Sequence, residues 1–265
     1  MNTIFTKRLL ILVVICLGGQ AVYTQTSAKI ESEMLGYLGS IQKYASRGGN
    51  FDMERLDDAN KKLKAAIVKY GALPAMLGYG FPRLKDKMFV ATSRDGKFRI
   101  YSWDTETGGT MHDFDNVFQY RSSGGNVHTH VAAASSESGA GSFYTQVFQV
   151  DTPDGRVYLA NSSGIYSTSL AGQALEAYRI DGDKFVSNVK VIRTPSGLKG
   201  SVRFSYDFFS VVDHPERPVK LFFFDETKRS FRFPVVIADK KTPQGRVTNR
   251  FITYRFNGKY FEKVS

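Results

Sequence analysis

The chain has 265 residues, of which 42% are hydrophobic, 14% aromatic and 23% charged, and its formal net charge is +11. That composition excludes a wholly disordered chain and allows one or two domains with a sizeable core. Cys16 is the sole cysteine, which excludes a disulfide scaffold and any cysteine-based metal cluster.

The first residues follow the three-part pattern of a secretory signal peptide. Lys7 and Arg8 form a basic start, Leu9 to Leu17 is a run of nine apolar residues, and Gly18, Gly19, Gln20 and Ala21 follow. The run is too short for a bilayer span, which needs roughly 20 residues. A cut after Ala21 would place Gly19 and Ala21 at its −3 and −1 positions; a later cut, near Gln25 or Ala28, is also open. Residues 1–24 are therefore read as a signal peptide. The mature chain is expected to be exported to the periplasm or beyond, with no transmembrane segment. A lipid anchor at Cys16 is disfavoured because Ile15 stands where a lipobox needs a small side chain.

Two helices are predicted next, as a hairpin over residues 29–72. Ile30, Met34, Tyr37, Leu38, Ile41 and Tyr44 recur at helical spacing, and Arg47-Gly48-Gly49-Asn50 stops the first helix. Asp52 is the expected N-cap of the second, with Leu56, Ala59, Leu63, Ile67 and Tyr70 as its apolar stripe. Gly71 is placed at its C-cap, with Pro74 just beyond. Residues 73–87, which include Pro74, Gly78, Gly80 and Pro82, read as a linker.

From residue 88 onward the chain reads as antiparallel β, rich in Val, Ile, Phe, Tyr and Thr and punctuated by Asp-Gly and Asn-Gly turns. Thr-Pro-x-Gly occurs at Thr152, Thr194 and Thr242, at offsets of 42 and 48 residues. Tyr178 to Phe185 resembles Tyr254 to Phe261 in phase with those turns. The fold class is all-β with an N-terminal helical hairpin. Its hairpin repeats suit either a β-propeller-like arrangement or a sandwich or open barrel.

Chemistry is sparse. There is no nucleophile elbow, zinc-protease motif, P-loop or dinucleotide fingerprint, and no cofactor is called for. His128 and His130 are two apart on a predicted strand and so share a face, where they could hold one metal. The richest polar stretch runs from Trp103 to Asp115. Tyr101 and Trp103 alternate on one strand face, beside Asp104, Glu106, His112, Asp113 and Asp115. Aromatic faces beside carboxylates suit sugar recognition, and paired carboxylates suit glycoside hydrolysis. The competing account makes both rings core and the carboxylates a solvated turn.

The basic residues are spread out. Lys61, Lys62 and Lys64 mix with Asp57 and Asp58. Lys228, Arg229, Arg232, Lys240, Lys241, Arg246 and Arg250 alternate with Phe and Val, as solvated strand faces do. This spread and the expected export argue against a nucleic-acid partner and leave a general attraction to anionic lipids or cell-wall polymers. The expected function is an exported, non-enzymatic module that binds a protein or glycan ligand through an aromatic-rich β face. The alternative is an extracellular polysaccharide hydrolase using the carboxylates of the 103–115 loop.

Overall fold

The computed structural model describes residues 25–131 and 141–264. The expected leader, with Cys16, lies outside them. The protein is mostly antiparallel β-sheet preceded by three helices, and its described strands close into no barrel. No described helix is long and apolar enough to cross a membrane.

Helix α1 spans Ser27–Tyr44 and is capped by the Thr26 hydroxyl, which accepts from the Lys29 N–H at 3.4 Å. Helix α2 spans Met53–Gly71, and Asp52 caps it as the sequence predicts, accepting from the Arg55 N–H at 3.1 Å. Gly71 differs from expectation. It is the last residue of α2, and a Cβ there would lie 2.6 Å from Thr129 Cγ2. Glycine is needed for the close approach of helix to sheet, not for a left-handed cap. Residues 73–87 do more than link. Pro74–Gly78 forms helix α3, and Met76, Phe81 and Leu84 are buried with the two longer helices in one core.

The strands are β1 (Phe89–Thr92), β2 (Phe98–Asp104), β3 (Phe114–Arg121), β4 (Val127–Val131) and β5 (Phe143–Thr152). Next come β6 (Gly155–Ile165), β7 (Leu170–Asp181), β8 (Lys184–Val186), β9 (Ile192–Thr194) and β10 (Gly197–Lys199). The last are β11 (Ser201–Asp207), β12 (Phe223–Asp225), β13 (Ser230–Ile237), β14 (Arg246–Phe256) and β15 (Phe261–Lys263). They form three sheets: an N-terminal one in the order β1-β2-β3-β4, a central one in the order β11-β7-β6-β5 with β8 on β7, and a C-terminal one in the order β10-β9-β15-β14-β13-β12.

Strand alternation stacks these sheets. On β6, Tyr158 and Ala160 pack with Phe98, Ile100 and Phe118 of the N-terminal sheet. Their neighbours Val157 and Leu159 pack with Ile192, Phe231 and Phe261 of the C-terminal sheet. The central sheet is thus buried on both faces, which is why its strands are long and apolar on both sides. The far face of the N-terminal sheet, through Tyr101, Trp103 and Val117, lies under the helices. The layers run helices, N-terminal sheet, central sheet, C-terminal sheet.

The glycines that close the three Thr-Pro-x-Gly turns share a positive φ, +106°, +103° and +100° at Gly155, Gly197 and Gly245. Their positions differ. The first joins β5 to β6 in the central sheet, the second joins β9 to β10 at an edge of the C-terminal sheet, and the third precedes β14 in that sheet's interior.

Candidate functional site

The predicted site begins at the end of β2. Trp103 is fully buried, and its indole N–H donates to Asn60 Oδ1 at 3.0 Å, while Asn60 Nδ2 donates to the Leu56 and Thr105 carbonyls. Tyr101 is buried beside it, its hydroxyl donating to Gln119 Oε1 at 2.8 Å. Burial pushes the Tyr101 hydroxyl up to about 12. Both rings therefore belong to the core under α2, which corrects their expected role as a stacking platform. The reason is the alternation itself: one face of β2 had to be buried, and the apolar helix stripe covers it.

The carboxylates separate. Asp104, Glu106 and His112 come together. Asp104 Oδ1 accepts from the Glu106 N–H at 2.9 Å, and Asp104 Oδ2 meets His112 Nδ1 at 2.5 Å. Glu106 sits at φ +57°, in the left-handed region. Burial and the Asp104 charge raise its carboxyl above the ordinary value, against the pull of His112 and Arg47. Asp113 instead accepts from the Gly141 N–H at 2.9 Å, and Asp115 pairs with Lys64 of α2 at 2.5 Å. The loop is further closed by Thr105 N–H and Oγ1 on the Asp113 carbonyl and by His112 N–H on the Ile165 carbonyl. These groups hold the loop and tie it to α2 and the central sheet; the five expected ligand groups do not converge.

His128 and His130 do share a face of β4, as predicted, turned toward β8. His128 stacks on Tyr120 and lies 3.7 Å from Asp183, and His130 packs against Phe185 with ring centres 4.8 Å apart. Burial lowers the His130 pKa. Among the described residues no group of three His, Cys, Asp or Glu side chains is placed to hold a metal ion. Both histidines pack on the aromatic cluster of Tyr120 and Phe185.

The β1–β2 turn, the end of β5 and the β12–β13 turn meet at a cleft of about 300 Å³ lined by Arg94, Asp95, Gln149, Val150, Asp151 and Glu226. Asp95 is its centre. Its carboxylate accepts from Ser93 Oγ at 2.5 Å, the Lys97 N–H at 3.0 Å, and Arg156 and Tyr158 at 2.9 Å each. Arg156 also holds Asp151 at 2.7 Å, and Arg94 pairs with Glu226. Burial raises the Asp95 carboxyl, but the four donors outweigh it and leave it below the ordinary value. The group is fully used in clamping the sheets.

The outer face of the C-terminal sheet is different. Phe223 and Phe251 are 38% and 42% exposed, packed edge to face with centres 5.9 Å apart. The Arg232 guanidinium lies over both rings, at 5.4 and 4.7 Å from their centres. Arg193 lies over Tyr260 at 4.0 Å. Strand register puts Arg193, Glu262, Arg255, Ser230 and Asp225 in one row across five strands, on the face opposite Phe231, Tyr254 and Phe261. Charge is concentrated in this part of the chain. From Asn188 to the C-terminus there are sixteen Lys and Arg against seven Asp and Glu, while cations and carboxylates balance over residues 9–187. The sequence reading treated Arg232, Arg246 and Arg250 as an ordinary solvated face. The missed signal was that Phe223 and Phe251, the aromatic partners of Arg232, stand on the same outer side of their strands as that cation.

Comparison with protein-family models, with curated proteins and with solved structures finds no match to this chain.

Proposed function

We propose that the protein is a non-enzymatic binding module that holds an extended glycan on the outer face of its C-terminal sheet. The observation that carries this is the partly exposed pair Phe223 and Phe251, bridged by Arg232 on the outer face of the sheet. Exposed aromatic rings stack on sugar C–H faces, and large exposed apolar groups beside polar ones mark interaction surfaces. The aromatic-rich β face read from the sequence is thereby relocated from Tyr101 and Trp103 to this sheet. Packing of the central sheet between two others supports a sandwich-type arrangement that leaves one outer face open. The basic and apolar pattern of residues 7–17 supports export, so the ligand is sought outside the cell. N-terminal sequencing of the natively produced protein checks this; a retained Met1 would contradict it.

Affinity electrophoresis through gels containing single polysaccharides tests the binding role. The wild type is expected to be retarded by at least one glycan. Phe223→Ala with Phe251→Ala is expected to weaken that affinity about tenfold or more, equivalent to about 1.4 kcal/mol. A wild type retarded by no glycan, or a double variant that binds as well, contradicts the proposal.

A further inference from the structure

We infer that the glycan held on this face is polyanionic, its carboxylate or sulfate groups read by Arg193, Arg232 and Arg255. The inference rests on the binding role proposed above and adds the chemical class of the ligand.

Three observations carry it. First, sixteen Lys and Arg against seven Asp and Glu lie from Asn188 onward, the segment that supplies every strand of this sheet together with β11 of the central one, while cations and carboxylates balance over residues 9–187. A cationic excess in this part of the molecule draws an anionic polymer toward it. Second, the guanidiniums are preorganised and underused. Arg232 rests over Phe223 and Phe251, and Arg193 over Tyr260, which restricts where each guanidinium can lie. A guanidinium resting on aromatic rings spends no N–H donor there and keeps its donors for the paired hydrogen bonds that match a carboxylate or sulfate. Among the described residues Arg193 has only the partly exposed Glu262 at 3.4 Å, and neither Arg232 nor Arg255 is paired with a carboxylate. Third, the cations are spread rather than gathered. Arg193 and Arg255 lie in one cross-strand row with β15 between them, so they stand two strands apart, about 10 Å. Arg232 lies one strand further on, two residues along from that row. A compact anion could touch one of them. A chain carrying charge at regular intervals touches all three, with its uncharged sugar faces on Phe223 and Phe251.

The experiment compares polygalacturonate with its fully methyl-esterified form, the same backbone without charge, over a range of salt. Chondroitin sulfate and poly(dT) complete the set of probes. Tight binding is expected to polygalacturonate or chondroitin sulfate, at least tenfold weaker binding to the methyl ester, and a steady fall in affinity with salt. Arg232→Gln with Arg255→Gln should weaken acidic-glycan binding at least tenfold and flatten the salt dependence by about one slope unit per arginine. Lys61→Gln with Lys85→Gln, on the helical side, removes the same charge and should leave binding unchanged. Thermal melts of every variant report that the fold is kept. Equal binding of the methyl ester overturns the polyanion inference and leaves the glycan role standing. Tighter binding of poly(dT) than of either acidic glycan replaces the ligand class with a nucleic acid. An equal loss in the lysine variant overturns the assignment to this face. No binding of any probe, with no glycan retarding the wild type, removes the binding role itself.

Discussion

Trp103 and Asp95 show how far a side chain's chemistry depends on its neighbours. Trp103 has no exposed face, and its one polar atom is matched to Asn60. Trp103→Ala is expected to cost about 3–5 kcal/mol in a denaturant titration, through lost burial and the cavity left behind. Trp103→Phe keeps most of the apolar area but leaves Asn60 Oδ1 unpaired, for a loss of about 1–3 kcal/mol. Loss of less than about 1 kcal/mol in the alanine variant would mean the ring is not core. Asp95 makes a prediction about pH. Its folded-state carboxyl lies below the ordinary value because four donors outweigh burial. The unfolded chain takes a proton near about pH 3.9. The stability that Asp95 contributes is therefore full above that pH and is lost as pH falls through the lower folded-state value. Asp95→Asn is expected to destabilise by about 1.5–3 kcal/mol at pH 7. Urea titrations at decreasing pH should show the gap between wild type and variant closing below about pH 4. A gap that stays constant into strong acid would show that the charge is not what holds the clamp.

At the scale of elements, the helices were the most legible part. Their apolar spacing and the Asp52 cap are local signals, and the structure carries both. Gly71, expected at the C-cap, is the last residue of α2 with Ala72 as the cap, and the neighbour that requires glycine there, Thr129, is distant in sequence. A Gly71→Ala substitution should force the helix off β4 and cost about 1–3 kcal/mol. Thr129→Ser removes the obstructing methyl yet keeps the hydroxyl that donates to the Val68 carbonyl at 3.2 Å. The double variant should recover most of the loss in thermal melts, whereas additive losses would mean that the contact does not limit the packing. The Thr-Pro-x-Gly turns were visible for the same local reason as the helices: a positive φ at glycine is demanded by the turn alone. Which sheet each turn serves depends on long-range pairing, such as β15 lying parallel to β9, and no local pattern encodes that.

For the whole molecule, the layering decides what the sequence could reveal about the site. Tyr101 and Trp103 looked like a binding face because their alternation on β2 marks one side of a strand without saying what covers it. The helices cover it. Arg232 reads as plain solvation in the sequence because its partners Phe223 and Phe251 lie on other strands and meet it only once the register is known. The charge asymmetry, by contrast, is present in the sequence throughout, and gains meaning from the fact that every strand of the outermost sheet comes from the C-terminal third. The most direct test of the account is to follow the arginine Nε–Hε resonances of ¹⁵N-labelled protein by NMR during titration with polygalacturonate. The resonances of Arg193, Arg232 and Arg255, assigned through single Arg→Lys variants, should shift together to saturation, while those of Arg47, Arg55 and Arg83 on the helical side stay in place. Saturable binding that leaves the three sheet arginines unmoved, or that shifts the helical set instead, would contradict it.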